Sequence, residues 1–269
     1  MQQKGWQLVF KKSATLFFVL LSCWQVCSAS ATDKWNTEKS THFIVFYKEA
    51  KEDFIRQLLN YAESYYDKIA ENLGLRRYDF WLWDNRAKIY IYNDSKDYIE
   101  STHQPVWSAG YAQVGEKTIY SYPYAKGFFE TVLPHEMGHI IFRETVGLTN
   151  PAVPLWLEEG VAIYQENSAL RQAGWQLKQA LRENKFISFK ALSTAAPSLM
   201  KDDAEVSLFY LESLSLVDYL IKEFGRESFL IFCQRLKELK DFRKALSTTY
   251  PFADTQSLGE AWEKYLLQQ

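Results

Sequence analysis

Apolar residues follow two different rhythms along this chain. In the first half, short runs rich in β-branched and aromatic residues mark strands. They are "HFIVFY" (residues 42–47), "AKIYIYND" (87–94, with Ile89 and Ile91 on one face) and "KTIYSY" (117–122), which follows the turn "VGEK". Between the first two, Phe54, Leu58, Tyr61, Tyr65 and Ile69 recur at helical spacing, and Gly74 is placed to stop that helix. A second helix is predicted over roughly 127–144. From Pro151 onward only helices are predicted: "PLWLEEGVAIYQEN", "ALRQAGWQLKQALREN", "VSLFYLESLSLVDYLIKEFG" stopped by Gly225, "RESFLIFCQRLKELK" and "SLGEAWEKYLL". The pattern predicts an α+β fold of two lobes, a mixed α/β lobe over 32–150 and a helical lobe over 151–269.

Residues 1–31 stand apart from this pattern. Lys4, Lys11 and Lys12 precede an apolar run, no acid occurs before Asp33, and "ASA" at 29–31 supplies small residues. That layout predicts a secretory signal cleaved after Ala31. The run falls short of the ~20 residues a membrane span needs, so no integral span is expected in the mature chain. "LLSC" offers the alternative of a lipid anchor at Cys23. Export to a periplasm or the cell exterior follows, with outer-membrane association if Cys23 is lipidated. Cleavage after Ala31 would leave Cys233 as the sole cysteine, without an internal disulfide. Its segment "FLIFCQRL" reads as an apolar helix face, so a buried inert thiol is expected. The net charge of −2 and the absence of a dense basic patch argue against a nucleic-acid partner. The cluster "YDFWLWDN", with Trp81 and Trp83, reads as core or interface packing in preference to a sugar platform.

The chemistry concentrates in "VLPHEMGHIIF". On a helix, positions four apart are offset by about 40° around the axis and about 6 Å along it. His135 and His139 can therefore offer imidazole nitrogens to one tetrahedral ion. Glu136 is rotated about 100° from His135, near the ion but angled away from it. That suits a general base taking a proton from a water that zinc acidifies. The competing reading is a chance match on a core helix. Apolar flanks, Pro134 near the start and the free energy of burying two unpaired histidines favour Zn2+. Gly138 lets another element approach closely. A third histidine in the longer H-E-x-x-H-x-x-G-x-x-H pattern is excluded, because Phe142 and Thr145 stand at those positions. His42 and His103 lack ligand spacing. The acidic candidates are Glu158 and Glu159, neighbours about 100° apart on a helix, of which only one should face the ion.

"HEMGH" followed by "WLEEGVA" resembles the gluzincin branch of H-E-x-x-H metallopeptidases. The pattern is most similar to the peptidase-MA-like group and distantly similar to aminopeptidase-N-type enzymes. The resemblance implies a zincin-like fold and a zinc-dependent hydrolase acting on a peptide or protein substrate. It implies Glu159, directly before the glycine, as the third metal ligand; aminopeptidase-type spacing would instead select Glu158. It further implies that Tyr210, opening a helix near the cleft, assists the oxyanion, with Glu212 and Ser213 as weaker neighbours. By the same logic the strand at 117–122 is an exposed edge that pairs with an extended peptide. "GAMEN" is absent, the nearest stretch being "SAGYAQ", so recognition of a free substrate N-terminus is unsupported. Two rival readings remain open at the level of sequence. One is an inactive zinc-binding envelope protein; the other is a metallohydrolase acting on a different envelope amide, such as a peptidoglycan cross-link.

Overall fold

A computed structural model of the chain describes residues 34–75, 81–166, 169–183, 185–195 and 200–268. The expected signal at 1–31, with Cys23, lies outside these residues. Five strands form one sheet: β1 (Asn36–Lys39), β2 (Phe43–Tyr47), β3 (Ala87–Ile91), β4 (Gly110–Gln113) and β5 (Thr118–Ser121). Their order is β1-β2-β3-β5-β4, with β2, β3 and β5 parallel and the two outer strands antiparallel to their neighbours. Helix α1 (Glu52–Asn72) joins β2 to β3, as a parallel pair requires. Phe43, Val45, Ala87, Ile89, Ile91 and Ile119 point to the inner face and are buried. Against them pack the apolar stripe of α1 (Phe54, Leu58, Ala62, Tyr65, Ile69) and α3 (Leu133–Val146). A short helix, α2 (Ser95–Thr102), places buried Tyr98 beside Tyr92 and Tyr122.

The outer face of the sheet carries an aromatic ladder. Phe46, Tyr90, Tyr120 and Tyr111 are cross-strand partners in register on β2, β3, β5 and β4. Their rings stack with centroids 4.6, 5.2 and 4.8 Å apart and interplanar angles of 13°, 17° and 12°. These separations are those of adjacent strands, about 4.7–4.9 Å.

The strand expected as an exposed edge is interior. β5 lies between β3 and β4, and the open edge beside it is β4, read in the sequence only as "SAGYAQ". Gly110 and Ala112 carry little apolar signal for a physical reason. A Cβ on Gly110 would meet Val132 Cγ1 at 2.7 Å, so that inward position of β4 has no room for a side chain. The motif helix begins later than predicted. One π-type turn, Phe128–Val132, closed by Val132 N–H donating to Gly127 O at 3.1 Å, leads into it.

The C-terminal part is helical: α4 (Leu155–Tyr164), α5 (Ala169–Arg182), α6 (Phe189–Leu192), α7 (Asp203–Leu239), α8 (Phe242–Thr249) and α9 (Thr255–Gln268). Asp202 caps α7 by accepting from Glu205 N–H, and Gly225 interrupts it with φ 84°, ψ 156°. That backbone region is nearly closed to residues with a side chain, so the break falls where the sequence places it. α4 lies between α3 and α7 and buries Trp156, Leu157 and Val161 completely. Complete burial of a large apolar side chain stabilises by about 1.5–3 kcal/mol, so α4 is anchored despite having only ten residues.

Candidate metal centre

The centre forms where α3 and α4 cross. His135 Nε2 and His139 Nε2 face each other at 3.2 Å, with the rings nearly perpendicular at 80°. Glu159 Oε2 completes a triangle, 3.8 Å from His135 Nε2 and 3.9 Å from His139 Nε2. These three residues form a group that could hold a metal ion. Two glycines allow the crossing. A Cβ on Gly138 would lie 3.0 Å from Ala162 Cα, so α3 and α4 touch nearly backbone to backbone. A Cβ on Gly160 would run into the Ser213 carbonyl group and sit 2.8 Å from Val217 Cγ2 on α7. Glu159 is thereby set between two close helix contacts.

The neighbouring carboxylates divide their roles. Glu158 is held by Arg143, whose Nε donates to Oε1 at 2.7 Å and whose Nη2 donates to Oε2. Arg143 Nη1 also donates to Asn150 O at 3.1 Å. This engagement turns Glu158 away from the triangle, leaving Glu159 as the residue that faces it. Glu158 Oε1 still lies 3.8 Å from His139 Nδ1, a buried atom without a hydrogen-bond partner. His135 Nδ1 is 2.9 Å from Glu166 Oε1. Such a carboxylate behind a ligating imidazole fixes its tautomer and ring orientation. Glu166 was not singled out from sequence, although a signal exists: it falls seven residues, about two helical turns, after Glu159.

Glu136 follows His135 on α3, outside the group of three, and α3 packs against β4. Burial pushes the pKa of Glu136 up, against the pull of His135 and of the Ala112 backbone on β4. Burial likewise raises Glu159 to about 7, with Glu158 and Glu136 adding to the rise and His135 opposing it. His139 is driven well below the usual histidine value by burial, and by the His135 and Arg143 charges. Burial also acts to lower His135, but the Glu166 hydrogen bond and the surrounding carboxylates raise it on balance. Half-buried Tyr210 has its phenol pKa raised by burial and then by the Glu159 carboxylate, which places it within that charge's field.

The remaining candidates lie elsewhere. Glu212 Oε1 accepts from Ile187 N–H at 2.8 Å, and Ser213 Oγ donates to Phe209 O at 2.7 Å. His42 Nδ1 pairs with Glu63 Oε2 at 2.6 Å, and its ring stacks on Tyr66. His103 is exposed and closes the C-terminus of α2. Cys233 is buried, and burial pushes its thiol well up, as an inert core residue requires. The Trp81–Trp83 cluster splits. Trp81 is in the core and donates to Glu144 Oε2 at 2.8 Å, whereas Trp83 is 79% exposed. No described helix is long and apolar enough to cross a membrane.

No curated protein matches the chain. Comparison with protein families matches residues 82–268 to the peptidase MA superfamily, a span that includes α3, α4 and α7. With that match over most of its length, and with two histidines and a glutamate gathered at one point, the chain belongs to the peptidase MA superfamily.

Proposed function

We propose that this protein is a zinc-dependent metallopeptidase, exported from the cell, that hydrolyses peptide bonds by direct attack of water. The observation that carries the reading is the triangle of His135, His139 and Glu159. A point equidistant from its three atoms, in their plane, lies about 2.1 Å from each, the length of a zinc–nitrogen or zinc–carboxylate bond. Two imidazoles and one carboxylate are also a donor set of catalytic zinc, which leaves a fourth position open. When bound, zinc supplies Lewis acidity, lowering the pKa of a water and polarising a carbonyl oxygen.

The chain's own residues do the rest. Glu136 stands beside the triangle without joining it. It accepts the proton of the attacking water and delivers it to the leaving amine, a base and then an acid in turn. Its helix, α3, packs against β4, so base and edge strand are positioned together. Glu166 holds the His135 ring, and Arg143 keeps Glu158 from competing with Glu159. The Tyr210 hydroxyl donates to the oxygen on which charge develops. The reading takes the sheet-bearing part and the helical part as the two lobes of a zincin-like fold, with the substrate extended along β4. Export rests on the basic, apolar and small-residue layout at 1–31, with lipidation at Cys23 as the alternative processing route.

The test is metal analysis together with digestion of casein and a peptide library by wild type and Glu136→Gln. About one zinc per chain is expected in both proteins, with cleavage by the wild type alone. Zinc retained with no peptide cleaved by the wild type would overturn the peptidase assignment and leave a binding role. Mass spectrometry of the mature N-terminus distinguishes Thr32 from a lipidated Cys23.

A further inference from the structure

We propose that the open edge of β4 selects an aromatic side chain in an extended peptide substrate, with Tyr111 as the surface that side chain stacks on. The inference rests on the peptidase reading above and names its substrate class. The aromatic ladder runs in register across four strands and ends at Tyr111 on the edge strand. One face of that ring is covered by Tyr120 at 4.8 Å. Among the described residues its other aromatic contact is tilted Tyr98, 6.5 Å away. A peptide pairing with β4 would form a sixth strand about 4.8 Å further out. The residue opposite Tyr111 would carry its side chain on the same outer face, in the place where the next ring of the ladder belongs.

Two observations tie this position to the reacting centre. β4 packs against α3, the helix that carries Glu136, so the edge strand and the base belong to one packed pair of elements. Strand side chains alternate, and the inward positions of β4, Gly110 and Ala112, are small. The strand therefore offers a large aromatic surface on one face only, beside the helix that carries the base. A peptide strand carrying Phe, Tyr or Trp at a fixed, short distance from the scissile bond matches it. Offset-stacked ring pairs gain beyond their buried area, which amounts to about a two- to tenfold preference over an aliphatic residue.

The experiment uses the full, zinc-loaded protein and a hexapeptide library that places Phe, Tyr, Leu or Ala at every position. Wild type is expected to show an aromatic preference at one fixed offset from the cleavage point, with kcat/KM for Tyr about two- to tenfold above Leu. Tyr111→Phe keeps that ratio because the ring remains, and Tyr111→Leu brings it close to one. A flat profile in the wild type would overturn the proposal, as would a ratio unchanged in Tyr111→Leu. If no hexapeptide is cleaved, the peptidase reading itself fails. Fluorescence polarisation with the same labelled hexapeptides then decides the platform separately. Aromatic-dependent binding that Tyr111→Leu abolishes supports it, and binding without aromatic preference, or none, refutes it.

Discussion

Replacing Glu212 by glutamine is expected to stabilise this protein, increasingly so as pH rises. Glu212 has no exposed surface. Its Oε1 accepts Ile187 N–H, but Oε2 is buried without a partner. Burial raises its pKa from the ordinary 4.5 to about 9, and the Glu263 carboxylate adds to the rise. The folded protein therefore keeps a proton that the unfolded chain releases above pH 4.5. With the folded value above the unfolded one, the stability is complete below about pH 4.5 and declines as pH rises towards 9. At about 1.4 kcal/mol per pH unit over that interval, the full loss is about 6 kcal/mol, of which about 3 is already incurred at pH 7. Against a typical total of about 5–15 kcal/mol, this is a large effect. Glutamine keeps an acceptor for Ile187 and cannot ionise, so Glu212→Gln should exceed wild type by about 3 kcal/mol at pH 7. The two should match near pH 4. Urea melts of both proteins at pH 4, 5, 7 and 9 measure the difference, and every other titrating group cancels between them. Stability curves that run parallel across this range would refute the reasoning, because Glu212 would then ionise normally in the fold.

Two further predictions concern the support of the centre. Gly160→Ala forces a methyl group against the Ser213 backbone and Val217. It should cost about 3 kcal/mol or more, at or beyond the upper end for overpacked cores, and lower zinc affinity by shifting Glu159. Urea melts and zinc titration check both; a loss under about 1 kcal/mol with unchanged affinity would mean that the crossing is loose. Glu166→Gln should weaken zinc binding by about 10- to 100-fold while leaving the melting temperature of the metal-free protein near wild type. Chelator competition reads the affinity, and an unchanged value would deny Glu166 its hold on His135.

The parts of this molecule that were legible in sequence are those carried by a repeating period. His135, Glu136 and His139 share one helix, so their spacing fixes their relative directions before any tertiary structure exists. Gly138 and Gly225 were also readable, one as a site of close approach and one as a stop. The choice between Glu158 and Glu159 was not contained in their helix alone. It depends on Arg143, whose guanidinium reaches across from α3 to hold Glu158. Glu166 stayed hidden because it lies just past the end of α4, while its partner, His135, is 31 residues away on α3. The sheet edge was misplaced because strand order is a tertiary property. Thr118–Ser121 has the stronger strand signal, yet Gly110–Gln113 is the outermost strand on that side of the sheet. β1, "NTEK", is exposed throughout and carries no apolar rhythm that could announce it.

The double close contact of α4, through Gly138 on one side and Gly160 on the other, has a practical bearing on how variants should be judged. A screen that scored only lost metal binding would return these glycines beside His135, His139 and Glu159, although neither belongs to that group. Thermal or chaotrope resistance recorded in parallel separates the two groups. Losing one of those three side chains should spare the architecture, whereas a side chain at Gly160, and less sharply at Gly138, should weaken the architecture and the centre together.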